Sequence, residues 1–114
     1  MSAEQLPREP SAWSPTPHLG DRVRKPSRFL DGEAIRACIE EGVRHELGNG
    51  YVATEQWVDG VHYRLVLDPE TREVVTGYPQ GVDQEVALAS GWTEGQLRDV
   101  REAIRREKHR DHER

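Results

Sequence analysis

The run from residue 61 to residue 68, VHYRLVLD, restricts the fold more than any other part of the sequence. Apolar and mostly polar side chains alternate along it, with Val61, Tyr63, Leu65 and Leu67 on one face and His62, Arg64, Val66 and Asp68 on the other. This is the two-residue period of a β-strand that is buried on one side only, as in an antiparallel sheet. The apolar face needs a cover, and we expect a helix to pack on it.

Two neighbouring runs extend this strand into a sheet. Residues 51–58 and 73–78 are also strand-like, and the segments DG and DPETR separate the three runs. The order predicts an antiparallel meander. Pro79 has no backbone N–H to donate to a neighbouring strand, so the last strand is predicted to end at Tyr78.

A helix is predicted on each side of this meander. Asp31 is a suitable N-cap and Gly42 a suitable stop for the first helix, whose apolar residues at helical spacing are Leu30, Ala34, Ile35, Cys38 and Ile39. Thr93 and Gln96 form a capping box for the second, whose apolar stripe is Leu97, Val100, Ala103 and Ile104. The predicted class is α+β, with an N-terminal helix packed on a three- to four-stranded antiparallel sheet and a C-terminal helix.

The chain has the length of one domain with a small core. It has 114 residues, of which 34% are hydrophobic and 32% charged. Residues 1–17 contain four prolines among polar residues and are predicted to be a disordered arm; within it, Trp13 either docks on the domain or a partner, or is exposed. The single domain is expected over residues 18–106, followed by a frayed charged tail at 107–114.

Cysteine content and hydropathy bear on location. Cys38 is the single cysteine, and no stretch has the apolar length of a signal peptide or membrane span. A cytoplasmic protein with no membrane partner is therefore expected. Only two of the 16 basic residues are lysine, which indicates a GC-rich or salt-adapted genome.

The net charge of −5 is unevenly distributed. Residues 18–28 form a basic island, in which one aspartate accompanies four positive side chains: Arg22, Arg24, Lys25 and Arg28. In molar salt the Debye length falls to about 3 Å, so local charge matters more than total charge for binding nucleic acid. The acidic total therefore does not exclude RNA as a partner.

Several classes of enzyme lack their motifs in this sequence. Apart from His109 and His112 in the charged tail, the five histidines and one cysteine show no spacing typical of metal ligands. Neither a phosphate-binding loop nor a nucleophile elbow occurs. No metal or cofactor is expected.

The remaining polar residues suit metal-free RNA cleavage. This reaction needs a base for the 2′-hydroxyl proton, cations for the phosphate and an acid for the leaving oxygen. Histidine, arginine and tyrosine can fill these roles, and the candidates are His18, Arg22, His62, Arg64, Thr76 and Tyr78. Taken singly, each is also an ordinary surface or strand residue.

The pairing of the last two strands decides where Thr76 and Tyr78 point, because a shift of one residue reverses the face of every side chain. If Asp68 pairs with Glu73, Thr76 and Tyr78 lie on the apolar face. If Asp68 pairs with Arg72, they lie on the polar face. Both pairings are compatible with the sequence.

A set of motifs between residues 18 and 79 resembles a known superfamily. These are His18-x-x-x-Arg22, a helix ending in CIEEG, the strand YRLVLDPET and the last strand EVVTGYP. The pattern resembles the small ribonuclease-toxin superfamily that groups barnase, the colicin nucleases and the RelE-type messenger-RNA interferases. Arg72, at a hairpin position where glycine is usual, Gly77 within the last strand, and Pro26 depart from the pattern.

The resemblance implies a helix on an antiparallel sheet, with RNA and a cognate antitoxin as partners. The catalytic positions that it implies are His18, Arg22, Arg64, Thr76 and Tyr78. Further RNA contacts are expected at Arg24, Lys25, Arg28 and His62. The implied activity is a toxin-like, metal-independent endoribonuclease that cleaves RNA by attack of the 2′-hydroxyl.

Two other functions fit the same sequence. One is a non-catalytic α+β binding module that engages a protein or nucleic-acid partner through a sheet edge or the Arg-rich final helix. The other is a tethered regulator that binds through its proline-rich arm and basic tail. Catalysis requires His18, Arg22, Arg64 and Tyr78 to converge, whereas a binding module leaves them free to scatter.

Overall fold

The computed structural model describes residues 3–17, 19 and 30–112 of the chain. These residues form an α+β fold, which confirms the predicted class. The strands are β1 (Ser14–Pro15), β2 (Val43–Glu46), β3 (Val52–Val58), β4 (Val61–Asp68) and β5 (Glu73–Val82). The helices are α1 (Gly32–Glu41), α2 (Gln84–Ala89) and α3 (Glu94–His112), and two short 3₁₀ turns lie at Ala3–Gln5 and Pro10–Ala12.

The strands form one sheet in the order β1-β5-β4-β3-β2. The pairs from β2 to β5 are antiparallel, whereas β1 lies parallel to β5. The prediction of three to four antiparallel strands was therefore wrong in number and in its purely antiparallel character. With two and four residues, β1 and β2 are too short to produce a clear alternating pattern in the sequence.

The last strand does not stop before Pro79, as predicted, but continues to Val82. On one side β5 pairs with β4, and on the other side β1 pairs only with Glu73 and Val74. Pro79 thus lies beyond the short stretch that β1 covers, and a bulge follows it between the partners of His62 and Tyr63. A strand at a sheet edge, next to a bulge, tolerates proline because it needs no N–H donor there.

The predicted helix caps are confirmed. The Asp31 carboxylate accepts a hydrogen bond from the Ala34 backbone N–H at 2.8 Å. Thr93 and Gln96 exchange reciprocal hydrogen bonds of 3.1 and 2.9 Å, as a capping box requires. Both cap signals are local in sequence, which is why they could be recognised before the fold was known.

One apolar core lies between the sheet and the helices. The fully buried side chains of β4 pack with the stripes of α1 and α3, and α2 contributes Ala87. Cys38 on α1 is fully buried, and its thiol lies 3.9 Å from the Tyr63 carbonyl oxygen. Burial raises the pKa of this thiol to about 12, so Cys38 is an inert packing residue at neutral pH.

The end of α1 is pressed closely against β3. The Thr54 hydroxyl is fully buried and donates a 2.5 Å hydrogen bond to the Cys38 carbonyl oxygen, while the Gly42 N–H donates to the same oxygen. A Cβ on Gly42 would lie 2.1 Å from the Thr54 hydroxyl oxygen and 2.2 Å from the Cys38 oxygen. Gly42 therefore ends α1 because of close approach, since its φ of −66° is open to any residue.

The N-terminal segment is tied to this same region by Arg44 on β2. The buried guanidinium donates hydrogen bonds to four backbone carbonyl oxygens, those of Ala3, Leu6, Pro7 and Ile39. Burial lowers the pKa of Arg44, and the nearby charge of Arg8 adds to this effect. Arginine remains charged nonetheless, so the carbonyl dipoles supply its solvation.

Residues 3–17, for which the sequence predicts disorder, thus have defined contacts in the structure. Trp13 is buried, its indole N–H donates to the Pro7 carbonyl oxygen at 3.0 Å, and the Arg72 guanidinium lies 5.5 Å from its ring centroid. The domain boundaries at residues 17 and 106 stay predictions. None of the described helices combines the length and apolarity needed to cross a bilayer.

We expect Gly42→Ala to destabilise the fold by about 1–3 kcal/mol, because its methyl group would push α1 away from Thr54. Gly32→Ala is the control, since a Cβ on Gly32 meets nothing within 4 Å, and it should stay within about 1 kcal/mol of the wild type. Urea unfolding of both variants measures the difference. Equal stability of the two variants would contradict the close approach at Gly42.

We expect Arg44→Met to cost about 2–4 kcal/mol, because four carbonyl groups lose a charged donor. The same change should speed proteolysis within residues 3–15. Arg36→Met, which removes an exposed ion pair with Glu40, is the control and should change stability by no more than about 0.5 kcal/mol. Unchanged proteolysis of Arg44→Met would show that Arg44 does not anchor the N-terminal segment.

Candidate functional site

A β-bulge in β5 determines which side chains face the polar side of the sheet. Asp68 pairs with Glu73 at the hairpin, but an extra residue, Val75, then shifts the pairing so that Val66 lies opposite Thr76. Past this point Tyr78 lies opposite Arg64. The hairpin therefore begins with one of the two predicted pairings, yet Thr76 and Tyr78 lie on the polar face that only the other pairing would have given them.

We use the name polar face for the side of the sheet opposite α1. Thr54 and Gln56 point to the α1 side, where they donate hydrogen bonds to the Cys38 and Glu41 carbonyl oxygens. Side chains alternate along each strand, so the polar face carries the next residues in register. Its polar and aromatic members are His45, Glu55, Trp57, His62, Arg64, Thr76, Tyr78 and Gln80.

A row of acid-base and charged groups crosses four strands of the polar face. Glu55 is its centre: one carboxylate oxygen lies 3.5 Å from His45 Nε2 and the other 3.0 Å from Arg64 Nε. Tyr78 is the cross-strand partner of Arg64, which places their Cβ atoms about 5 Å apart. We call His45, Glu55, Arg64 and Tyr78 the charged row.

The charged row lies at the boundary between protein and solvent. The side chains of Glu55 and Arg64 are 17% and 26% exposed, whereas that of His45 is 50% exposed. Glu55 can therefore orient the His45 imidazole through Nε2 and leave Nδ1 toward solvent. A carboxylate that holds an imidazole in this way is the usual arrangement of a catalytic acid-base group.

Two polar atoms on this face are buried without a hydrogen-bond partner in the described part of the chain. They are Thr76 Oγ1 and Arg64 Nε. Arg64 Nε is close enough to Glu55 for an ion pair, but its N–H is not aligned with the carboxylate for a hydrogen bond. Unsatisfied donors of this kind are uncommon in native structures and often mark a site that a ligand completes.

At the other end of the polar face, Trp57 stacks on His62. The ring centroids are 4.7 Å apart and the planes are inclined by 20°. Gln80, the extra residue of the second bulge, places its amide nitrogen 3.1 Å from His62 Nδ1. Burial lowers the pKa of His62 from the usual 6.5, while the Glu55 carboxylate acts in the opposite direction.

The structure brings together the predicted site residues that it describes. His62, Arg64, Thr76 and Tyr78 all lie on the polar face, and Arg64 and Tyr78 are direct neighbours. The other predicted residues lie outside the described part of the chain; they are His18, Arg22, Arg24, Lys25 and Arg28. Whether they join the charged row therefore stays a prediction.

Sequence reasoning missed His45, Glu55 and Trp57. Glu55 and Trp57 are alternate residues of a run that was predicted as a strand, so its pairing with β4 would have placed both beside the predicted residues. His45 gave no such signal, because β2 was not recognised as a strand.

Neither a metal centre nor a large cleft accompanies the charged row in the described structure. Among residues 3–17, 19 and 30–112, no three His, Cys, Asp or Glu side chains are grouped as metal ligands. A cavity of about 230 Å³ lies at the hairpin end of the fold and is lined by Ala3, Leu6, Val52, Pro69, Glu70 and Arg72. None of the residues that line it belongs to the polar face.

The lowered pKa of His62 predicts a pH-dependent stability. The unfolded chain binds this proton at a higher pH than the folded chain, so this contribution to stability is complete above about pH 6.5 and declines as the pH falls toward the folded pKa. His62→Gln should therefore lose less stability than the wild type between about pH 7.5 and 5.5. Urea unfolding across this range is the measurement, and parallel curves would contradict the shift.

Comparisons with other proteins do not assign the chain to a family. No protein-family model, curated protein or solved structure matches it. The function of the polar face is therefore argued from its own geometry and from the chemistry of its residues.

Proposed function

We propose that this protein is a metal-independent endoribonuclease of the toxin type. The observation that carries the proposal is the position of Tyr78 beside Arg64, in line with the Glu55–His45 pair. Two proton-transfer groups and one cation on a single sheet face are the minimum for cleaving RNA at its 2′-hydroxyl. The sequence resemblance to the ribonuclease-toxin superfamily points to the same chemistry.

In the proposed reaction, His45 Nδ1 accepts the proton of the 2′-hydroxyl while Glu55 holds the imidazole through Nε2. The 2′-oxygen forms a bond to phosphorus, and the bond from phosphorus to the 5′-oxygen of the next nucleotide breaks. Tyr78 donates its proton to that leaving oxygen. The products are a 2′,3′-cyclic phosphate and a free 5′-hydroxyl, and no redox partner or cofactor is needed.

Arg64 would stabilise the charge that develops on the phosphate. Its unaligned Nε–H and the buried Thr76 hydroxyl are donors without partners in the described structure, so a phosphate oxygen could accept from both. A guanidinium next to Tyr78 also favours the phenolate that forms when the tyrosine gives up its proton. The basic island at residues 18–28 would add the cations that His18 and Arg22 represent in the resemblance.

The second candidate is a non-catalytic module that binds RNA or a protein through the same face. The Glu55–Arg64 ion pair favours it, because the carboxylate already neutralises the cation that a phosphate would otherwise meet. RNA as substrate and an antitoxin as protein partner belong to the first candidate. RNA cleavage separates the two.

We expect purified protein to cleave a fluorescent single-stranded RNA in the presence of EDTA and to leave 2′,3′-cyclic phosphate ends. The variants Arg64→Met, Glu55→Gln, His45→Gln and Tyr78→Phe should each lower the rate about 10²-fold or more, because each removes a group from the charged row. The assay is run in low and in molar salt, with and without ribosomes.

The control for these variants is Arg105→Met, which breaks the exposed ion pair with Glu102 on α3 and should keep the wild-type rate. Circular dichroism and thermal unfolding confirm that each variant is folded. Absence of cleavage in both salts, with and without ribosomes, would reject the endoribonuclease and favour the binding module. Equal losses in the control and in the charged row would also reject it.

A further inference from the structure

Trp57 presents a flat aromatic surface at one end of the polar face. Its side chain lies on His62, and its Cη2 atom reaches within 3.7 Å of where a Cβ on Gly81 would stand. The residue is nevertheless 51% exposed. One ring face is therefore covered by the protein and the other is turned to solvent.

The position of this ring is held by its surroundings. His62 beneath it is restrained by the contact of Nδ1 with the Gln80 amide at 3.1 Å. Gly81 has no side chain to lift the indole from the sheet. A restrained aromatic ring loses little conformational entropy when a ligand stacks on it, which favours its use as a binding surface.

The charged row begins one step along the same strands. Trp57 pairs with His62, and two residues away Glu55 pairs with Arg64. Two residues of a strand span about 7 Å, so a base on Trp57 would be linked through its sugar to a phosphate within reach of Arg64. Unpaired bases stack on aromatic side chains in this way, next to cations that hold the backbone.

We propose that Trp57, supported by His62, is a stacking platform for one unpaired nucleobase of single-stranded RNA. The inference rests on the proposed RNA substrate and deepens it, because a base inside a duplex is stacked on its neighbours and cannot occupy the platform. Stacking is tolerant of base identity. The platform therefore selects single strands over duplexes without reading a sequence.

The experiment measures binding without cleavage. The probe is a short, unstructured, fluorescently labelled RNA with 2′-fluoro groups, which lacks the attacking hydroxyl, together with the same probe carrying one abasic position and with its duplex. Trp57→Ala should weaken binding of the single strand about tenfold, as expected for one lost stacking contact. The abasic probe and the duplex should bind more weakly to the wild type than the intact single strand does.

Tyr51→Ala is the matched control, because Tyr51 is another exposed aromatic residue that precedes β3 at its opposite end. It should bind the single strand like the wild type. Trp57→Phe should recover much of the affinity that Trp57→Ala loses, which a loss of folding would not explain. Thermal unfolding verifies that all variants are folded.

The platform and the catalytic proposal can fail separately. Trp57-dependent binding of the single strand by a protein that never cleaves RNA would support the platform and reject the endoribonuclease. Equal affinity of wild type and Trp57→Ala for the single strand would overturn the platform, even if the protein cleaves RNA. Failure of the wild type to bind the single strand, or equal affinity for single strand and duplex, would also overturn it.

Discussion

The arrangement of the polar face depends on one extra residue in β5. Without the bulge at Val75, the pairing that starts at Asp68 and Glu73 would direct Tyr78 toward the helices. With it, Gly77 and Pro79 take the core-facing positions and Tyr78 faces the other way. The bulge thus separates a small-residue path for the core from a hydroxyl-bearing path for the polar face.

The core benefits from the same shift. A Cβ on Gly77 would lie 2.5 Å from a Leu65 methyl carbon and 2.9 Å from one of Leu30, so a glycine at this position gives the two leucines room to pack. Gly77, which departs from the superfamily pattern, is therefore explained by packing above the sheet. Pro79 is fully buried on the same side, where a rigid ring is compatible with an edge strand.

The two faces of the sheet make different contributions to the molecule. On the helix side, burial of apolar groups and the Thr54–Cys38 contact stabilise the fold. On the polar face, the ion pair of Glu55 and Arg64 is partly exposed, and pairs of this kind contribute about 0–1 kcal/mol. Their contribution to folding is small, which leaves these side chains open to selection for binding or catalysis.

Local signals in the sequence were sufficient for the class of fold and for much of its outline. The alternation from Val61 to Asp68, the Asp31 cap and the Thr93–Gln96 capping box each involve residues a few positions apart, so neighbours in the chain define them. The sequence by itself therefore determined an α+β domain with an amphipathic central strand. It also identified His62, Arg64, Thr76 and Tyr78 as candidates.

Only the tertiary structure decided how these residues are combined. The Val75 bulge, the pairing of β1 and β2 and the extension of β5 past Pro79 arise from contacts between residues distant in the chain. Each exchanges a local preference for packing or hydrogen bonding elsewhere, so no short window of sequence contains its cause. For the same reason the Glu55 contacts with His45 and Arg64 appear only when β2, β3 and β4 lie side by side.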